Sequence, residues 1–116
     1  MASLLIVDDD ERIREALCEL FSEEHQCDEE GTAEGALARM QERDYDVMIT
    51  DISMPGMSGE DLLGFVKIYK PRTPVVFITG GASQSDAERL AFDYLLKPFR
   101  LSVIARTVAR AIECRR

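Results

Sequence analysis

Asp8, Asp9, Asp51, Thr79 and Lys97 are the residues whose types and spacing could do chemistry together. Each stands where an apolar run stops. LLIV gives way to three aspartates at 8–10, DVMIT to Asp51, VVFI to Thr79, and FDYLL to Lys97. Carboxylates gathered in one place repel one another, and each would carry a raised pKa unless a cation sat among them. An oxygen-only set with no nearby histidine or cysteine suits a hard ion, Mg²⁺ before Ca²⁺. The spacing does not fit a calcium-binding helix–loop–helix site. A carboxylate held beside Mg²⁺ and a lysine is also a phosphoryl acceptor. The two cations would neutralise equatorial oxygens of the transferring group, and the Thr79 hydroxyl would donate to another. Acyl-phosphate formation needs a carboxylate nucleophile, and Asp51 precedes a glycine-containing loop, ISMPGMSG, that could expose it. A single terminal Asp is usually a cap or a solvated turn residue. Four chemically useful strand exits together favour the chemical reading.

For these residues to meet, the apolar runs must lie side by side. LLIV at 4–7 reads as a buried strand, and Ile13, Ala16, Leu17, Leu20 and Phe21 predict a helix over 11–24 capped by Asp10. QCDEE at 26–30 is too polar for a central strand and suits an edge. Ala33, Ala36, Leu37 and Met40 mark a helix ending near Arg43, and YDVMIT at 45–50 a second buried strand. Pro55, Gly56 and Gly59 signal a turn, and Ser58 with Asp61 resembles a capping box opening a helix over about 59–70. VVFIT at 75–79 and FDYLL at 92–96 read as further strands, with room for only a short helix at 85–90 between them. Leu101, Ile104, Ala105, Val108 and Ile112 predict a final amphipathic helix. Five alternations of strand and helix, with aliphatic strands, predict a parallel α/β sheet covered on both faces. Right-handed crossovers bring the C-terminal strand ends to one edge, where Asp8, Asp9 and Asp51 converge if the first and third strands are neighbours.

The 116 residues predict a single domain spanning 1–116, with its core at 3–112. A net charge of −8 disfavours binding to nucleic acid or anionic membranes and suits a cationic partner or a metal ion. No apolar run reaches transmembrane length, and no secretory leader is evident. Cys18, Cys27 and Cys114 have no paired or metal-ligand spacing, which fits a reducing, cytoplasmic setting. His25 lies far from the acids in this arrangement, so it reads as neither phosphodonor nor ligand; Arg12, Arg14 and Lys67 read as solvated helix residues.

The pieces IVDDD, ITDISMPGMSG, VVFITG and FDYLLKPF occur in an order and spacing that resembles the receiver domain of bacterial two-component response regulators, from about Leu4 to Ile112. The wording is most similar to receivers of NtrC-like regulators. The resemblance implies a three-layer, flavodoxin-like fold with strand order 2-1-3-4-5. It implies Asp51 as phosphoacceptor and Mg²⁺, for which Mn²⁺ can substitute, on Asp9, Asp51 and the Ser53 carbonyl. Asp8 would act through bound water, Thr79 and Lys97 would contact the phosphoryl group, and Tyr94 would be the aromatic switch. It also implies a cis peptide between Lys97 and Pro98.

The chain departs from the family between ITGG and AFDYLLKP, where it is about four residues shorter, so the helix there is expected to lose about a turn. That shortening predicts a low-stability segment over residues 80–90, more ordered after phosphorylation, and a mostly monomeric domain. The implied function is a signalling receiver that takes a phosphoryl group from a sensor histidine kinase or a histidine phosphotransfer protein and slowly hydrolyses it. It would catalyse its own phosphotransfer and would not be a multiple-turnover enzyme. Three alternatives compete. A small Mg²⁺-dependent phosphatase or phosphotransferase with an Asp nucleophile would want an enclosing cap. A flavodoxin-like cofactor binder would want a phosphate-cradling loop where DDD stands. A phosphorylation-independent scaffold would have no need of Asp51, Thr79 and Lys97. A downstream output domain is compatible with all of these motifs.

Overall fold

Leu4 to Val7 are apolar on both sides of the chain, so β1 (Ser3–Val7) is buried on both faces. Alternate residues serve opposite layers of the fold. Leu5 and Val7 join a cluster with Met48, Val75 and Phe77; Leu4 and Ile6 join one with Val47, Ile49, Val76 and Ile78. The computed structural model describes residues 1–80 and 91–115. Within them β1 is followed by α1 (Glu11–Phe21), β2 (Gln26–Glu30), α2 (Ala33–Glu42), β3 (Val47–Asp51), α3 (Gly59–Tyr69), β4 (Val75–Thr79), β5 (Asp93–Leu96) and α4 (Leu101–Arg115). All pairings are parallel and the strand order is β2-β1-β3-β4-β5, the flavodoxin-like arrangement. The α2 and α3 residues Ala36, Met40, Leu62 and Val66 cover one face; Leu17 and Phe21 of α1 with Ile104 and Val108 of α4 cover the other.

Local chemistry sets the boundaries. The Asp10 side chain accepts from the Arg12 N–H at the start of α1, and Ser58 and Asp61 form a reciprocal capping box at the start of α3. The α1 helix ends at Phe21, three residues short of the predicted 24. Continuation would stack Glu23 over Glu19 and put acids at the negative end of the helix, where no basic residue stands in the last turn. Strand β3 begins at Val47, later than predicted, because Asp46 turns aside to accept from the Ser3 N–H at 2.8 Å. The predicted short helix at 85–90, its lost turn and the expected behaviour of 80–90 fall largely on residues 81–90, which lie outside the described residues.

β2 is an edge strand, as its polarity predicts, but its acids are not simply solvated. Asp28 accepts from the Tyr45 hydroxyl at 2.5 Å and pairs with Arg43 at 3.2 Å, Glu30 pairs with Arg39, and Glu29 with Arg14 at 3.4 Å.

Candidate functional site at the C-terminal sheet edge

Strand register delivers the site. β1 pairs with β3, so the residues leaving both strands emerge side by side, and one carboxylate oxygen each from Asp8, Asp9 and Asp51 lies within 4.8 Å of the others. Asp8 is fully buried, Asp51 is the buried last residue of β3, and Asp9 is exposed. β5 then feeds Lys97 into the cluster, where its Nζ donates to Asp8 Oδ2 at 3.0 Å and to Asp51 Oδ2 at 3.2 Å. Asp8 also accepts from the Asp10 N–H at 2.8 Å, and Asp51 Oδ1 from the Ser53 N–H at 3.3 Å. The peptide after Lys97, to Pro98, is cis.

Charges in this pocket work against one another. Burial raises the Asp8 carboxyl above the usual carboxylate range and the Asp51 charge adds to it, while the Asp10 N–H and Lys97 pull the other way. Burial alone would lower the Lys97 ammonium. Its hydrogen bonds and the charges of Asp8 and Asp51 outweigh that, and the net shift is upward. The oxygen-only donor set fits a hard dication, since two buried carboxylates and one exposed one face a common point beside a single lysine.

Thr79 is the buried last residue of β4, and its carbonyl accepts from the Lys97 N–H at 2.7 Å. Tyr94 is 45% exposed on β5 and pairs in register with Phe77. Since strand residues two apart share a face, Thr79 and Tyr94 stand on the same side of the sheet as Phe77, diagonal to each other. His25 is away from all of these, at the N-terminal end of β1, where its Nδ1 accepts from the Ala2 N–H at 3.0 Å.

Two features escaped the sequence reading. Gly59, read as a turn signal and helix start, lies so close to β3 that an added Cβ would be 2.2 Å from the Asp51 carbonyl oxygen. The positive φ of 79° belongs to Gly56. Arg14, expected to be solvated, is the second: its side chain is only 19% exposed and Nη1 donates to the Asp8 carbonyl at 2.7 Å. Its position six residues after Asp8, one helical turn beyond the cap Asp10, was the available signal. Arg12 (90% exposed) is solvated as expected.

Comparison with known proteins agrees with this geometry. Residues 4–109 match the model of the response regulator receiver domain. The response regulator protein FleR of Pseudomonas aeruginosa is 37% identical over 94% of this chain, and the DNA-binding transcriptional regulator NtrC of Salmonella typhimurium is 37% identical over 92%. The chain spans only 24% of the length of each. Among solved structures, the response regulator TrrA of Thermotoga maritima, in complex with Mg²⁺ and BeF, superposes with a TM-score of 0.88 at 30% identity, covering 96% of this chain and 99% of TrrA. With the family model matched over nearly its whole length, this chain belongs to the response regulator receiver domain family, the phosphoacceptor module of two-component systems.

Proposed function

We propose that Asp51 accepts a phosphoryl group from a histidine kinase or a histidine phosphotransfer protein, with Mg²⁺ held by Asp9, Asp51 and the Ser53 carbonyl and by Asp8 through water. The observation that carries this is the convergence of three carboxylates within 4.8 Å around one bridging lysine. The bound ion supplies charge neutralisation for the transferring group. An Asp51 oxygen forms the new O–P bond as the donor's P–N bond breaks and the imidazole nitrogen keeps the electron pair. Lys97 leaves its pairing with Asp51 to meet the phosphoryl oxygens, and Thr79, at the end of the neighbouring strand, donates to another. Tyr94, diagonal to Thr79 on the same face, is the aromatic switch that reads the change. The similarity to receivers of DNA-binding regulators such as NtrC supports an output in transcription control.

Intact-mass measurement after incubation with acetyl phosphate and Mg²⁺ tests the assignment. One acid-stable, base-labile phosphoryl per chain is expected, with none on D51N and none in excess chelator. Full labelling of D51A would remove Asp51 from the role.

A further inference from the structure

We propose that Arg14 is a positioning residue for the Mg²⁺ site, set in place by the edge strand β2, which itself contributes no carboxylate to the cluster. This rests on the Mg²⁺ reading above and extends it to residues outside the acid cluster. The guanidinium spans two elements: Nη1 donates to the Asp8 carbonyl at 2.7 Å, and Nε faces the Glu29 carboxylate at 3.4 Å. That carbonyl belongs to the peptide joining Asp8 to Asp9. Its plane fixes where the Asp9 Cα stands, and so where the exposed Asp9 carboxylate can point. The last register pairs of β1 are Val7 with Glu30 and with Thr50, and at Asp8 the N–H still donates to the Glu30 carbonyl at 3.2 Å. On its other side the Asp8 carbonyl accepts from Arg14.

The surroundings hold the guanidinium in one pose. Glu29 holds Nε from β2, and Gly31, just past that strand, leaves it room. A Cβ on Gly31 would stand 3.2 Å from Arg14 Nη1 and 3.7 Å from Cζ, so a side chain there would crowd the guanidinium and require it to shift. The chain therefore runs a mechanical link from β2 through Arg14 to the Asp8–Asp9 peptide. A planar, fixed fork is suited to this, because one rigid group must meet two partners at once.

The test is Mg²⁺ titration of the full 116-residue chain, followed by calorimetry and by the amide signals of residues 8–10, with no phosphodonor present. R14A is expected to weaken Mg²⁺ affinity about 10–100-fold, the range typical of lost outer-shell partners of metal ligands. R14K, which can reach the carbonyl but not Glu29 as well, should recover part of it. G31A leaves Arg14 in the sequence but crowds it, and should give an intermediate loss while the protein stays folded. R43A removes pairing to the same edge strand from Asp28 and should leave Mg²⁺ affinity unchanged. Phosphorylation of R14A by acetyl phosphate should be slow at limiting Mg²⁺ and approach the wild-type rate at saturating Mg²⁺. Wild-type Mg²⁺ affinity in both R14A and G31A overturns the proposal, as does an R43A loss equal to that of R14A. A wild-type chain that binds Mg²⁺ but takes no phosphoryl overturns the phosphoacceptor reading and leaves the Arg14 result standing by itself.

Discussion

The Lys97 ammonium lies 3.0 Å from an Asp8 oxygen and 3.2 Å from an Asp51 oxygen, bridging the exits of β1 and β3 from the end of β5. One side chain thus ties three strands together and offsets charge between two buried carboxylates. On the proposed Mg²⁺ reading, Lys97 would compete with the cation for the Asp8 and Asp51 carboxylates. K97M is therefore expected to destabilise the Mg²⁺-free protein by about 1.5–3 kcal/mol, the usual cost of losing hydrogen bonds to charged groups. Saturating Mg²⁺ should recover part of that loss. Urea denaturation with and without Mg²⁺ measures both. Mg²⁺ affinity should fall in D9N, which loses a proposed ligand, and should not fall in K97M, which loses a competitor.

Gly59 and Gly64 both lie in α3 and should respond oppositely to alanine. A Cβ at Gly59 would stand 2.2 Å from the Asp51 carbonyl and 2.9 Å from the Ile52 Cα, so the backbone must move. G59A is expected to cost about 1–3 kcal/mol by overpacking and to slow phosphorylation, because the acceptor strand shifts. A Cβ at Gly64 meets nothing within 4 Å, so G64A should stabilise by about 0.5–1 kcal/mol through helix propensity alone. Denaturation of the two variants side by side, with phosphorylation rates, separates these effects.

Burial, and then the Asp28 carboxylate that accepts its proton, push the Tyr45 phenol up to about 12. An unfolded tyrosine titrates near about 10. Because the folded value is raised, the Tyr45 contribution is fully present below about pH 10 and is lost as pH rises through the folded value. The stability difference between wild type and Y45F should be constant from neutral pH to about 10 and shrink above it. Denaturation at a series of alkaline pH values checks the slope; a difference that grows with pH would contradict it.

Cysteine reactivity should follow exposure. Cys114 is exposed, whereas burial first, and then Glu29 and Cys27, push the Cys18 thiol up to about 12. Near pH 8 that leaves a thiolate fraction on the order of 10⁻⁴, so alkylation of Cys18 should lag well behind Cys114. Iodoacetamide labelling with peptide mapping gives the order, and urea should abolish it.

The fold was legible because β1, β3 and β4 are aliphatic on both sides and each ends in a polar residue of distinct chemistry, a pattern that only a covered parallel sheet satisfies. The cluster was legible for the same reason: strand ends are shared by topology, so Asp8, Asp51 and Lys97 could be placed together without side-chain detail. Contacts that depend on three-dimensional closeness were not. Arg14 looks like any helix arginine until α1 is laid against β1 and β2, and Gly59 looks like a turn residue until α3 starts against the Asp51 carbonyl. Both meet the site at main-chain carbonyls, which the hydrophobic pattern of the sequence does not reveal.

The acids of β2 also bear on how these molecules treat one another. Among the described residues, the outer side of β2 is the end of the sheet, where main-chain donors and acceptors have no neighbouring strand. Such a row invites a strand from another molecule to dock, copy upon copy. Asp28, Glu29 and Glu30 stand in succession along it, so a second β2 approaching edge to edge would bring acid against acid. The side chains that anchor the strand to its own domain thus also disfavour a second copy zipping onto that rim.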